Sequence, residues 1–349
     1  MEIIDHVSQL KKEIDSCQKP LFFFDDDIDG LCSFLICYRY KRVGKGIVVK
    51  TSKELGLVFI NKVREYGPDK IFVLDVPLID QEFINQAGIP LVWVDHHGPF
   101  LRKNVKYINP RLIQKDIYFP TTLVCYTALK NDMWIAALGI IGDAALPDFI
   151  DEFSKKYPDI LPSGLKEVEE IKFKTRMGEL IALLSFILKG KNQDVLKTVR
   201  VLTRIEDPHE ILDCTTARGK FVHDIGIKIK KNYDALSREA LKSKEKDGFV
   251  IFVYAHTKYS FTTELANELL YKHPDSVVVV AREKLGEYKM SMRARHLDIS
   301  KALEATLKHI EGSGGGHEHA VGAVIKVELF DQFIEELKKQ IKLMNKGEK

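Results

Sequence analysis

Leu21-Phe22-Phe23-Phe24 is an unbroken apolar run that stops abruptly at Asp25-Asp26-Asp27-Ile28-Asp29-Gly30. A short continuous apolar run bounded by polar residues fits a strand buried on both faces. Leu31 to Arg42 then predicts an apolar helix, Gly46 to Thr51 a strand and Glu54 to Tyr66 a helix. Lys70 to Leu74 and Pro90 to Val94 predict two more short strands, each running directly into an aspartate. This rhythm predicts an α/β fold whose N-terminal domain is a doubly wound, mainly parallel sheet with helices on both faces. Ligands of such sheets bind at the carboxyl ends of the strands. All three acid-ended strands place their carboxylates at that edge.

The pattern then changes. Pro120 to Ala145 is apolar with helical spacing, and Pro147, Pro158 and Pro162 punctuate the stretch after it. Leu165 to about Lys246 carries charges at every helical turn and ends in an expected connecting helix, His209 to Lys246. A second, smaller α/β unit with a mixed sheet is predicted from Gly248. Its strands are expected at Phe249–Tyr254, Ser276–Arg282, Tyr288–Arg295 and Ala323–Val327, and its helices at Thr262–Lys272, Ile299–Ile310 and Leu329–Met344. In Tyr288–Arg295, Lys289, Ser291, Arg293 and Arg295 alternate with Met290, Met292 and Ala294, which predicts a half-exposed strand with a basic face. The division expected is 1–190 for the first domain, 191–246 for a helical connector and 247–349 for the second. A chain of 349 residues exceeds one ordinary core.

Composition narrows the class. An apolar fraction of 45% and a charged fraction of 30% fit a soluble globular protein. No apolar run is long enough to span a bilayer, and Met1 to Lys12 holds no signal-peptide core, so a cytoplasmic location without a membrane partner is expected. The five cysteines are odd in number and lack metal-ligand spacing, and Cys32 and Cys37 read as buried thiols. The net charge of +3 says little about partners. Lys228-Ile229-Lys230-Lys231 and Lys338-Lys339 suit a phosphate backbone or a solvated helix face equally.

The acids carry more. Asp25, Asp27 and Asp29 alternate, so a continuing strand would gather them on one face and turn Asp26 away; an acidic turn capping the next helix is the plainer alternative. Asp75, Asp95-His96-His97 and Asp143 also fall at element ends. Close carboxylates repel strongly unless a cation lies between them. Oxygen-rich ligation with one or two imidazoles suits Mn²⁺ or Mg²⁺. So many carboxylates are balanced better by two ions bridged by one carboxylate than by one ion. Near the C-terminus, Gly314-Gly315-Gly316 reads as a binding loop that can bring backbone N–H groups against a phosphate, with His317 at its end. Arg293 and Arg295 could grip further phosphates from one strand face.

Asp25-Asp26-Asp27-Ile28-Asp29-Gly30, Asp75, Asp95-His96-His97 and Asp143 resemble, in order, the four motifs of the DHH phosphoesterase superfamily. Gly314-Gly315-Gly316-His317-Glu318-His319-Ala320-Val321-Gly322 resembles the glycine-rich motif of its associated C-terminal substrate domain. The likeness covers nearly the whole chain. The Asp-x-Asp-x-Asp-Gly form is similar to the RecJ-like nuclease branch, and the compact length to its archaeal, Hef-associated nuclease type. Other branches place a histidine where Phe23 stands here, so Asp25 would supply the missing ligand. The resemblance implies one cation on Asp25, Asp27 and Asp75 and a second on Asp29, Asp75, His96 and Asp143, with Asp75 bridging. It implies that Asp95 orients an imidazole and that His97 faces the scissile phosphate. Asp26 matches no ligand position.

The function expected from the resemblance is a two-cation exonuclease, Mn²⁺ preferred or Mg²⁺, that cuts single-stranded DNA or short RNA to 5′-mononucleotides by in-line attack of water. The 3′–5′ direction follows from the archaeal likeness. A cleft between the domains is expected to hold the strand end. A small-nucleotide phosphodiesterase (cyclic dinucleotide, phosphoadenosine phosphate or nanoRNA) stays open as an alternative, and so does a non-catalytic replication or repair scaffold, although no expected ligand is missing. A DNA repair or replication partner and homo-oligomerisation are left open.

Overall fold

The structure is a computed structural model that describes residues 2–50 and 54–347; Thr51, the last residue of the second expected strand, lies outside them. Two compact units divide the chain, Met1–Ile229 and Lys230–Lys349. The expected connector over 191–246 is therefore not set apart. Most of it packs with the first unit, and the division falls inside the helix Ala217–Ala240.

The first unit is built on β1 (Pro20–Asp25), α1 (Ile28–Lys41), β2 (Lys45–Val49), β3 (Lys70–Leu74), β4 (Leu91–Val94) and β5 (Lys106–Ile108). The strands form one sheet in the order β2-β1-β3-β4-β5, and every pair is parallel. Alternation inside the apolar runs explains why they are unbroken. Phe22, Phe24, Phe72, Leu74, Val92 and Val94 face one buried cluster, and Leu21, Phe23, Ile71, Val73, Leu91 and Trp93 face another. Helices α2 (Thr121–Leu129) and α3 (Met133–Gly142) pack with α1 in the first cluster. The expected single helical stretch is split between them because Lys130 and Asp132 are left-handed, with φ of 54° and 56°. Downstream lie α4 (Val168–Lys174) and α5 (Arg176–Leu188), then α6 (Ala217–Ala240).

Two expectations in this unit change. Glu54–Tyr66 is not one helix: Glu54–Leu55 pairs in parallel with Leu78–Ile79, Leu57–Phe59 is a 3₁₀ turn, and only Ile60–Tyr66 is α-helical. Gly56 interrupts the helical pattern there. Strand β5 was not foreseen, because three residues carry too little alternation to stand out.

The second unit contains β6 (Phe249–Tyr254), α7 (Thr262–Lys272), β7 (Val277–Lys284), β8 (Glu287–Arg293), α8 (Ile299–Leu307), β9 (Ser313–His317), β10 (Ala320–Lys326) and α9 (Phe330–Gly347). Its sheet is mixed, in the order β9-β10-β8-β7-β6, with only β6 and β7 parallel. Strand β8 is exposed over only part of its polar face: Lys289 is open, whereas helix α7 covers Ser291, which is buried and within 3.3 Å of Thr263. Among the described residues, no helix is long and apolar enough to cross a membrane.

Candidate metal centre

Register builds the site. Phe24 pairs with Leu74, Leu74 with Val94 and Val94 with Ile108. The next residues of these four parallel strands, Asp25, Asp75, Asp95 and Asn109, therefore stand in one row along the carboxyl edge. The parallel ladder continues one step past the strands, with Asp75 N–H donating to the Val94 carbonyl at 2.9 Å and Asp95 N–H to that of Ile108 at 3.2 Å. Asp75 turns out of the sheet with φ 64°, a left-handed conformation that aspartate tolerates better than most residues.

Asp27 and Asp29 reach the row by another route than strand alternation. The strand ends at Asp25. Asp27 is the N-cap of α1 and accepts from Gly30 N–H at 2.9 Å, while Asp29 lies in the first helical turn. The capping turn and the carboxylate cluster are thus the same feature. Gly30 is required there, because a Cβ would lie 2.6 Å from the Asp25 carbonyl oxygen. Asp26 is exposed and joins no cluster among the described residues.

Among the described residues, three groups at this edge have donor atoms within 4.8 Å of one another: Asp25, Asp27 and Asp75; Asp29, His96 and Asp143; and Asp75, His96 and His97. Asp75 and His96 link them. His96 Nε2 is 3.4 Å from Asp75 Oδ1, 3.7 Å from Asp143 Oδ2 and 3.9 Å from Asp29 Oδ2. Asp29 and Asp75 are buried. Burial raises their carboxyl pKa values and that of Asp143, and mutual repulsion adds to the rise at Asp75 and Asp143. Asp75 Oδ2 is buried and receives no hydrogen bond from the described residues.

Asp29, Asp75, Asp143 and Asp95 are held by groups that sequence reasoning missed. Thr121 and Thr122 N–H, at the start of α2, donate to the two oxygens of Asp29 at 2.8 and 2.7 Å. A carboxylate at a helix N-terminus is favoured by both hydrogen bonding and the helix dipole. Thr121 Oγ1 also donates to Asp75 Oδ1 at 2.8 Å. Tyr118 Oη lies 2.9 Å from Asp143 Oδ2 and donates to it. Asp95 turns from the cluster to His97, whose Nδ1 lies 2.7 Å from its Oδ1. Tyr107 and Asn109 donate to its other oxygen at 3.1 and 3.4 Å, and Tyr107 stacks on buried Trp93 at 4.2 Å. Burial works against a His97 cation, but Asp95, with the charges of Asp27 and Asp29, outweighs it and raises the imidazole pKa. The one sequence signal for the threonines is Pro120-Thr121-Thr122 opening an apolar helical run.

The second unit arranges its expected residues differently. Gly314, Gly315 and Gly316 do not form a loop. They belong to β9, an exposed edge strand that pairs with β10 and ends at His317. A Cβ on Gly314 would meet the Gly322 carbonyl oxygen at 2.6 Å, whereas one on Gly315 would meet nothing within 4 Å. Arg293 and Arg295 do not share a strand face, since β8 ends at Arg293 and Arg295 lies in the exposed turn beyond it. Arg293 donates through Nε to Asn267 on α7 at 2.8 Å, and burial lowers its pKa to about 10. Arg293 and His317 both pair with Ala320 of β10, so they stand in one row across β8, β10 and β9.

Residues 236–343 match the DHHA1 domain. The chain is similar in structure to RecJ from Thermus thermophilus in complex with Mn²⁺, at 15% identity and a TM-score of 0.70 over 97% of this chain and 54% of that one. It is similar to an exonuclease RecJ bound to manganese, at 13% identity and a TM-score of 0.62 over 98% and 95% of the two chains. CDC45 from Entamoeba histolytica is also similar, at 12% identity and a TM-score of 0.55 over 97% and 99%. The chain has a RecJ-like fold and carries a DHHA1 domain. It spans about half the length of the Thermus RecJ. No curated protein matches its sequence. At these identities the solved structures speak for the fold, and the chemistry rests on this chain's own residues.

Proposed function

We propose that this RecJ-like protein is a divalent-cation-dependent phosphodiesterase that removes nucleotides from the end of a single strand. The observation that carries the proposal is the meeting of Asp29, Asp75, His96 and Asp143, spread over more than a hundred positions, around His96 Nε2 at 3.4–3.9 Å. Neighbouring ligands on an octahedral ion with bonds of about 2.1 Å lie about 3 Å apart, so small side-chain rotations would close this cage on a cation. The donor-less buried oxygen of Asp75 and the raised pKa values of three carboxyls fit the same group. Asp25, Asp27 and Asp75 would hold one ion and Asp29, Asp75, His96 and Asp143 the other, with Asp75 between them. Solved RecJ structures hold Mn²⁺ or Mg²⁺, and Mn²⁺ suits the mixed carboxylate and imidazole donors.

When bound, such a pair would polarise the phosphoryl oxygens and acidify the attacking water. The protein's own part is orientation and proton delivery. Asp95, fixed by Tyr107 and Asn109, engages Nδ1 of His97 and stabilises its cation. Proton delivery to the leaving oxygen then falls to the ring's other nitrogen, and His97 with Asp95 forms the acid of the reaction. In the second unit, Arg293, Arg295, His317 and the open main chain at Gly314, Gly315 and Gly316 would contact the strand's phosphates. Single-stranded oligonucleotides labelled at either end, incubated with folded protein and Mn²⁺ or Mg²⁺, test the reading. Stepwise loss of mononucleotides supports it and the label reports direction. Intact oligonucleotides refute it, and turnover confined to dinucleotides points to the small-nucleotide alternative.

A further inference from the structure

Asp143 is the least packed carboxylate around His96. Its side chain is 24% exposed, against 1% for Asp29 and Asp75. It also follows the last turn of α3 rather than a strand, so the sheet register that fixes Asp75 does not fix it. The chain reverses directly after it, because Ala144 is left-handed with φ 61°. A non-glycine residue in that region is strained by about 1–2 kcal/mol. A partly exposed carboxylate beside a strained reversal needs an external hold to keep its oxygen 3.7 Å from His96 Nε2.

Two side chains, one from the segment before α2 and one from α4, supply that hold on consecutive residues. Tyr118 Oη lies 2.6 Å from the Asp143 carbonyl oxygen and 2.9 Å from Oδ2, the oxygen that faces His96. Its ring meets the His96 ring edge-to-face at 5.7 Å. Lys172 Nζ, from α4, donates to the Gly142 carbonyl at 2.9 Å. A cation at a helix C-terminus satisfies a carbonyl without an intrahelical partner and is favoured by the dipole. From below, Gly142 sits so close to α1 that a Cβ would lie 2.2 Å from Ile28 Cγ2, which sets α3 against the helix bearing Asp29. The end of α3 is therefore seated by Gly142 and gripped by Tyr118 and Lys172.

We infer that Tyr118 and Lys172 are positioning residues that fix Asp143 for cation binding and so set the affinity of the cation on the Asp29, His96 and Asp143 side, leaving the Asp25 and Asp27 side unaffected. The inference rests on the two-cation reading above. A hydrogen-bond partner that orients a metal ligand commonly changes affinity by about ten- to a hundredfold. The phenol fixes the carboxylate rotamer directly. The ammonium acts one residue earlier, through the backbone, so its removal has the smaller effect.

Mn²⁺ titration of the full chain, followed by the electron paramagnetic resonance of free and spin-coupled Mn²⁺, tests this without turnover. Wild type is expected to bind two ions and show the coupled signal. Tyr118→Phe, which keeps the ring against His96 and loses only the hydroxyl, is expected to bind one ion as wild type does and the second about ten- to a hundredfold more weakly. Lys172→Gln should weaken the same ion less, and Lys172→Arg should restore it. Circular dichroism of the metal-free variants separates misfolding from loss of affinity, and Lys172→Gln carries the test if Tyr118→Phe fails to fold. Wild-type affinity for both ions in folded Tyr118→Phe overturns the inference and leaves the two-cation reading standing. Wild type that binds no Mn²⁺ pair overturns that reading and the inference with it.

Discussion

Replacing Asp75 with asparagine should make the metal-free protein more stable and the metal-loaded protein less so. Asparagine suits the substitution because residue 75 has φ 64°. Alanine would add about 1–2 kcal/mol of left-handed strain, which would mask the electrostatic effect. Asparagine also keeps an oxygen for the Thr121 hydroxyl, which donates to Asp75 Oδ1 at 2.8 Å. Two unit charges at the 4.8 Å limit of the Asp25, Asp27 and Asp75 group repel by about 3.5 kcal/mol at an effective dielectric constant of about 20. Partial protonation of the raised carboxyls relieves some of this already, so the expected gain is about 2 kcal/mol. For a domain of roughly 200 residues, 1 kcal/mol moves Tm by about 2–4 °C, so metal-free Asp75→Asn should melt about 4–8 °C above wild type at pH 7–8. Mn²⁺ at a thousand times its Kd should stabilise wild type by about 4 kcal/mol, and the variant has lost the ligand between the two groups. The two proteins should therefore change order when Mn²⁺ is added, in a melt followed by circular dichroism. A variant that is less stable than wild type without metal, or that still gains the full Mn²⁺ increment, would sink the reasoning.

Asp26→Ala should keep most of the proposed phosphodiesterase activity, because Asp26 is exposed and outside every donor group among the described residues; loss of that activity in the folded variant would misplace the site. Asp95→Asn should move the basic limb of the pH–rate profile to lower pH, since Asp95 raises the pKa of His97 and the imidazolium would then be lost earlier as pH rises. Glu210 is buried and accepts from Thr216, Arg218 and the N–H of Glu206, and its carboxyl pKa is lowered from 4.5 to about 2. A lowered carboxyl pKa gives stability that is complete above pH 4.5 and is lost as pH falls towards 2. Glu210→Gln should accordingly lose about 3 kcal/mol at pH 7, and the gap in urea midpoint should narrow between pH 4.5 and pH 3.

Much of the architecture could be read from the chain because burial leaves a plain mark. The strands at Leu21, Lys70 and Pro90 were visible as apolar runs since both faces of the first sheet are covered. The candidate site residues were visible because Asp25, Asp75, Asp95 and Asp143 fall where a strand or helix ends. Strand β5 and the pair Glu54–Leu55 with Leu78–Ile79 were too short to show a period. The glycine run misled for a related reason: without side chains it has no alternation, and it reads as a loop although it is hydrogen-bonded as an edge strand. The face of β8 misled because Ser291 and Arg293 are polar yet lie under α7.

By itself the sequence determined the alternation of elements and the acids that close several of them, since these follow from local hydrophobic period and from where charge is tolerated. Only the tertiary structure decided how the acids are held. Parallel register aligns Asp25, Asp75 and Asp95, the helix start at Thr121 fixes Asp29, and Tyr118 and Lys172 hold the end of α3. Those partners come from 25 to 93 positions away along the chain. Contacts of that range carry no local period, so they emerge only once packing has chosen which surfaces meet.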